Sequence, residues 1–420
     1  MASQALVLSP QHRKIVGAVA GAGALSRADV ARALGLSRSR LSPEIASLLE
    51  SGVLTTETFG PSTGGRPGAL LSVGGPEVAV LAGVDVDADR VSVALTTLAN
   101  RPVADHQLEM PAATDPKGTL DAAAELLERS LAPGHGPLVG IGVSIAADID
   151  PATTRPMTPQ TMPAWSGLPV AEFFADRFDA RTFIDNDVNV LALAEAAAPG
   201  ADARLGRSFL MLKLSSGLGC GIVVEGAVFR GSDGFAGDIG HICVDPDDDT
   251  RCACGNRGCL DAIAGEPAIV RDAQAIVDAG DSPLLAELLA SEGRLSLELI
   301  GRASELGDPA IGSLLRETGN RIGYVLAGVV SFFNPSSVVV SSALRGGEDI
   351  LLSAIRELVY QRAVPTSTRH LQVVGSGAGP HAGAEGAAVL AGRGFLGTAG
   401  TVAQARPSAR HAVAAVTSRR

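Results

Sequence analysis

The sequence predicts an α/β protein in which an N-terminal winged helix-turn-helix precedes a two-lobed α/β body. Three observations predict it. Two short amphipathic helices separated by a glycine turn lie near the start, two later blocks each lead with a β-hairpin, and a basic head is joined to an acidic remainder.

The 420 residues suit two to three domains, and 46% hydrophobic with 19% charged residues excludes a wholly disordered or collagen-like chain. Five cysteines are too few for a disulfide scaffold. The opening MASQALVLSPQHRK lacks a secretory pattern, and the longest apolar run, Gly323 to Phe333, falls short of the roughly 20 residues a membrane span needs. A cytoplasmic protein is expected. Net charge is −11, yet residues 1–70 carry seven basic groups (Arg13, Lys14, Arg27, Arg32, Arg38, Arg40, Arg66) against four acidic ones (Asp29, Glu44, Glu50, Glu57). The head is therefore +3 and the rest −14. This asymmetry points to a nucleic-acid contact, and 3% aromatic residues excludes single-strand binding by base stacking.

In the head, Ile15, Val16 and Val19 recur at helical spacing, and Ser26 can cap a helix reaching Leu34. Gly35 breaks the chain. Ser37 can then cap a third helix, with a buried stripe of Leu41, Ile45, Leu48 and Leu49 and an end at Gly52. The first turn of that helix offers Arg38, Ser39 and Arg40, with Ser42 one step on, as donors to base edges and phosphates of double-stranded operator DNA. Pro43 removes one backbone donor and is expected to bend or shorten the helix. Strands around Val53–Phe59 and Ala69–Val73 make a wing, whose tip presents Arg66 between glycines and a proline, a form suited to a narrow minor groove.

From Val78 three strand-like runs, a helix (Pro116–Leu131) and a strand (Leu138–Ile145) follow, and SFLMLKLSSGLGCGIVVEGAVFRG repeats the hairpin theme. Two such units suggest an actin-like duplicated fold with a cleft between halves. The expected domains are the head (1–73), a small lobe (76–190) completed by a helix near 379–393, a large lobe (191–378) and a flexible basic tail (394–420).

The strongest local signal is His241 followed by Cys252-Ala-Cys254-Gly-Asn-Arg-Gly-Cys259. Three thiolates within eight residues and a His eleven before the first suit a closed Cys₃His site, hence one structural Zn²⁺ per chain. Cys220 and Cys243 fall outside the spacing and are expected to be buried apolar residues.

SRADVARALGLSRSRLS, GGRP, IDNDVN (184–189), GFAGDIGHI (234–242) and CACGNRGCLD (252–261) occur in order, and with them residues 10–393 resemble the ROK family (repressor, open reading frame, kinase) in its winged-helix regulator branch. The resemblance implies an actin-like sugar-kinase-like body, the same four metal ligands, homodimers or homotetramers, and a sugar effector in the cleft. Asn186 and Asp187 match the family's sugar-binding pair, Asp187 standing where the kinases have their general base. As a bare sequence, Asn-Asp is also good helix-cap chemistry. Asp238 and Asp261 replace family glutamates, His241 offers a second ring nitrogen, and Thr161 replaces a family Asn. The kinases' Asp-x-Gly-x-Thr reads Asp85-Val86-Asp87-Ala88-Asp89, and their adenosine-receiving Gly-Gly is Ser342-Ala343. Phosphate facing Asp87 and Asp89 would be repelled, so no catalytic residue is expected. The reading is a sugar-controlled transcriptional regulator. Its rivals are a sugar kinase with a DNA-binding head and a zinc-stabilised DNA-binding scaffold that ignores sugar.

Overall fold

Ser9 opens the first helix, α1 (Pro10–Ala22), by accepting the His12 N–H at 3.1 Å. The computed structural model describes residues 6–57, 69–157, 162–215, 217–397 and 402–407; Arg66, Thr161 and 408–420 lie outside the described residues. Ser26 ends a two-residue strand, β1 (Leu25–Ser26), and caps α2 (Arg27–Leu34): it accepts the Asp29 N–H at 3.2 Å and donates its hydroxyl to the Asp29 carboxylate at 2.7 Å. Gly35, at φ 63°, ends α2 in the left-handed region that a side chain would resist.

The third helix, α3 (Arg38–Glu50), departs from expectation twice. The Ser37 hydroxyl pairs with Ser39 Oγ at 3.1 Å instead of capping the backbone. Pro43 does not shorten the helix, which runs on for seven residues, because Pro43 sits on the exposed face where its ring and the unpaired carbonyl meet water. Leu41, Ile45 and Leu48 are buried, as are Ile15, Val16, Val19 and Val30 on the helices packed against α3. The strands β2 (Leu54–Glu57) and β3 (Leu70–Val73) join β1 in an antiparallel sheet of order β1-β3-β2. β1 is too short to show alternation in the sequence.

The chain divides into two compact units, 1–197 with 378–420, and 198–377. The first holds the head and a six-stranded sheet. Its strands are β4 (Val80–Val86), β5 (Arg90–Thr97), β6 (Pro102–Glu109), β7 (Leu138–Ile145) and, after a side hairpin of β8 (Asp148–Asp150) and β9 (Arg155–Met157), β10 (Thr182–Asn186). From one edge the order is Ala403–Ala405, β10, β7, β4, β5, β6. The three strands β4–β6 are antiparallel neighbours, and β7 and β10 run parallel to β4.

The second unit repeats that plan with β11 (Phe209–Leu214), β12 (Leu218–Val224), β13 (Ala227–Phe229), β14 (Ser337–Ser342) and β15 (Gln372–Gly375), in the order β13-β12-β11-β14-β15. Again three antiparallel strands precede two parallel ones. The duplication is one of topology, and with it the actin-like plan of the body. Each unit has its own core, one gathered around Trp165 and Phe174, the other around Leu212, Leu315 and Ile355. Trp165 is fully buried and donates its indole N–H to the Ala112 carbonyl at 2.8 Å, so its one polar atom is satisfied.

Two glycines set the packing of the first unit. Gly83 on β4 and Gly142 on β7 are register partners. A Cβ on either would stand 1.8 Å from a carbonyl oxygen of the helix Ala382–Leu396, Ala384 O and Ala387 O respectively. Helix backbone therefore rests directly on strand backbone. The same helix contacts the helix Asp187–Ala197, and it carries α1 of the head, where the Arg13 guanidinium lies 5.9 Å from the Phe395 ring centroid.

Three sequence expectations need correction. Residues 394–396 and 403–405 are not a flexible tail: the helix runs to Leu396, and Ala403–Ala405 pairs antiparallel with β10, supplying edge hydrogen bonds that composition does not reveal. The division between units falls at 197/198, where the expectation placed it at 190/191, because the helix Asp187–Ala197 is unbroken. Cys243, which bridges to the buried Cys259, is exposed, because folding leaves its side chain on the solvent side of that bridge, while Cys220 is buried as expected.

Candidate functional site

Three groups of side chains carry chemistry. On the head, Arg38, Ser39, Arg40 and Ser42 are all exposed, held outward by the buried Leu41, Ile45 and Leu48 of the same helix. Ser42 donates its hydroxyl to the Arg38 carbonyl at 2.8 Å, so its proton serves the helix. The Arg38 and Arg40 side chains form no hydrogen bond or ion pair among the described residues. The two guanidinium groups are therefore presented to solvent in the first turn of α3, and Arg27 is exposed at the start of α2.

In the first unit, polar groups gather at the carboxyl ends of three parallel strands, where open α/β sheets take ligands. Asp85, Ser144 and Asp185 are register partners on β4, β7 and β10, and Ser144 donates its hydroxyl to Asp85 Oδ1 at 2.6 Å. The buried Asp185 accepts the Asn186 N–H at 2.9 Å and the Asn189 amide at 3.0 Å. Asn186 donates its side-chain amide to the Ala147 carbonyl at 3.2 Å, and both Asn186 and Asp187 accept the Val188 N–H, at 3.0 and 2.8 Å. Asn186 and Asp187 thus do cap the helix, while remaining half-exposed at the strand end. Sequence reasoning missed Ser144, Asp185 and Asn189. The IDNDVN run contains two of them, but only the register shows which carboxylate orients the pair.

In the second unit, His241, Cys252, Cys254 and Cys259 bring their donor atoms within 4.8 Å of one another. Cys252 Sγ lies 3.3 Å from His241 Nδ1, and Cys254 Sγ lies 3.7 Å from Cys259 Sγ. Burial, and then its two sulfur neighbours, push the Cys259 thiol up to about 12, and burial raises Cys252. Burial acts the same way on Cys254, but the Asn256 N–H and the neighbouring thiols outweigh it and hold that thiol below its ordinary value. Three converging thiols and an imidazole, with Cys252 and Cys259 buried and reluctant to ionise, suit a metal ion, whose charge would stabilise the thiolates.

Beside this cluster stand Asp238 and Asp261. His241 Nε2 is 3.9 Å from Asp238 Oδ1, too long for a hydrogen bond. Asp261 Oδ1 accepts the Leu218 N–H of the β11–β12 turn at 2.9 Å. Burial raises the Asp261 carboxyl above its ordinary 3.8, against the opposing pull of that N–H and of His241. The structure brings together Asp238, His241 and Asp261 in one unit, and Asn186 and Asp187 in the other.

Residues 81–393 match the ROK family model. The chain is 26% identical over 377 residues to a putative xylose repressor of Caldicellulosiruptor sp., covering 89% of this chain and 93% of that one. Among solved structures it resembles a ROK family transcriptional regulator described as a homologue of the E. coli MLC protein (TM-score 0.77, 22% identity, 93% of this chain and 96% of that one). It also resembles a Streptomyces griseus glucokinase solved with glucose and AMPPNP (TM-score 0.63, 26% identity), which covers 99% of its own length but 74% of this chain.

Proposed function

This chain belongs to the ROK family, and from that premise we propose that it is a sugar-responsive transcriptional repressor whose head binds duplex operator DNA. One observation carries the reading: a helix, glycine turn, helix and strand pair with an exposed Arg38-Ser39-Arg40 turn stands ahead of the family body, which begins at residue 81. The regulator likeness extends over that head, and the kinase likeness leaves about a quarter of the chain unmatched.

In the proposed complex Arg38, Ser39 and Arg40 meet base edges or phosphates, Ser42 offers an acceptor oxygen, and Arg66 follows the wing into a minor groove. The proposed sugar-binding groups are Asn186 and Asp187 in one unit and Asp238, His241 and Asp261 in the other. Sugar hydroxyls suit this mixture of neutral and anionic acceptors. Sugar binding shifts the equilibrium between states that differ in operator affinity, and a homodimer or homotetramer in the cytoplasm sets the spacing of the heads.

We read the body as non-catalytic. Asp87 and Asp89 stand at the first hairpin where family kinases have glycine and threonine, and the Ser342 hydroxyl accepts the Leu344 N–H at 2.9 Å where they have glycines. The metal we assign is Zn²⁺: Zn–S bonds of about 2.3 Å give a tetrahedral edge of about 3.8 Å, close to the 3.7 Å between Cys254 and Cys259. His241, Cys252, Cys254 and Cys259 would hold it with no open position, so it would fix the loop that begins the helix Leu260–Ala264 and positions Asp261.

Operator fragments recovered by genomic binding, used in gel shifts with a sugar panel, test the reading. A cognate sugar should change operator affinity and raise the melting temperature, and Asp187→Ala should abolish both effects while leaving DNA binding of the unliganded protein intact. DNA binding with no sugar response would favour the scaffold, and ATP-dependent sugar phosphorylation the kinase.

A further inference from the structure

Each body sheet opens with a hairpin whose turn lies at the carboxyl end of its parallel strands, β4–β5 in one unit and β11–β12 in the other. Backbone N–H groups in such turns make ready sites for anions. In both hairpins a carboxylate of the chain itself already accepts one of them. Asp87 Oδ1 accepts the Ala88 N–H at 2.8 Å, while its Oδ2 lies 3.3 Å from the Arg90 guanidinium. Asp261 Oδ1 accepts the Leu218 N–H at 2.9 Å from 43 residues away in the sequence.

The second contact has a shaped surround. A Cβ on Gly265 would stand 2.7 Å from Asp261 Oδ1, one on Gly240 3.4 Å from the Asp261 Cβ, and one on Gly217 4.0 Å from Oδ1. Gly265 therefore leaves the room this carboxylate occupies, and Gly240 and Gly217 border it at ordinary contact distance. The other Asp261 oxygen forms no hydrogen bond among the described residues, and His241 and Asp238 act on the carboxyl by charge.

We propose that Asp261 makes the group it shares with Asp238 and His241 select an uncharged sugar and reject its phosphorylated form, because a fixed carboxylate occupies the Leu218 N–H beside the β11–β12 turn that a phosphate would need. A neutral sugar hydroxyl can donate to the second oxygen of Asp261, whereas a phosphate dianion there meets like charge at hydrogen-bonding distance. That repulsion weakens binding by at least about tenfold. The proposal rests on the sugar-effector reading and goes beyond it by naming the ligand's charge.

The test uses the full-length, metal-loaded protein and titration calorimetry. Pentoses, hexoses and acetamido-hexoses are each compared with their phosphates, and inorganic phosphate is titrated alone, against native protein and Asp261→Asn. Asparagine keeps an acceptor for the Leu218 N–H and removes the charge. The native protein should bind a neutral sugar at least tenfold more tightly than its phosphate, and Asp261→Asn should narrow that ratio at least fivefold and gain affinity for inorganic phosphate. A phosphate ester that binds native protein as tightly as its parent sugar overturns the proposal, as does an unchanged ratio in the variant. If no sugar binds, the effector reading fails, and inorganic phosphate still decides the claim about the turn: equal affinity for native and variant protein overturns it. Should Asp261→Asn lose metal or helical signal, the ratio of neutral sugar to phosphate ester in the native protein decides the proposal by itself.

Discussion

Replacing Gly142 by alanine should unseat the helix Ala382–Leu396 from its sheet. The new Cβ would stand 1.8 Å from the Ala387 carbonyl oxygen and 2.6 Å from its carbon, both backbone atoms that cannot rotate away. Ordinary contact begins at 3.4 Å, so helix and strand must part by roughly 1.6 Å, and a gap of about 0.5 to 1 Å already forfeits about a quarter to a half of each dispersion contact. Most residues of the helix are buried, so the loss runs along its length. Overpacking of this kind costs about 3 kcal/mol, and at about 2 to 4 °C per kcal/mol for a unit of this size the melting temperature should fall by roughly 6 to 12 °C. Thermal unfolding by circular dichroism at fixed metal concentration measures it. Gly21→Ala is the control, since nothing lies within 4 Å of a Cβ there, and it should leave the transition in place. A Gly142→Ala protein melting within about 2 °C of the native one would refute the close approach and with it the direct seating of the helix.

Arg40→Ala should weaken specific operator binding by about 1 to 3 kcal/mol if Arg40 reads a base edge, and gel shifts in which Arg38→Ala/Arg40→Ala retains native affinity would exclude the α3 turn as the contact. Chelation should remove one metal equivalent per chain and expose thiols in a set order, Cys254 alkylating before Cys259 and Cys220, whose thiols are both pushed up to about 12 by burial; peptide mapping showing Cys259 first would contradict the cluster. Asp29 is held below its ordinary 3.8, first by the Ser26 hydroxyl. Its support of α2 is complete above that value and is lost as pH falls through the lower folded value, so native protein and Asp29→Asn should differ in stability at neutral pH and converge as acid titration passes below that folded value.

Much of this protein follows from local pattern. The heptad-like stripe of α3, the capping serine of α2, the bounds of β7 and the spacing of His241 with three cysteines each depend on residues close in the chain, so their physics is written in adjacent letters. Charge asymmetry between head and body is likewise a property of composition. Tertiary structure decided what depends on residues far apart. Ala403–Ala405 becomes a strand only because β10 offers it an edge, and the bridge from Cys243 to Cys259 buries one cysteine and leaves the other exposed. The same holds for Asp261. Its replacement of glutamate is visible in the sequence as a shorter side chain, but its hold on the Leu218 N–H joins residues 43 apart and uses space that Gly265 leaves beside the carboxylate. No window of neighbouring residues contains that arrangement, because hydrogen bonds and excluded volume act between atoms that folding alone brings together.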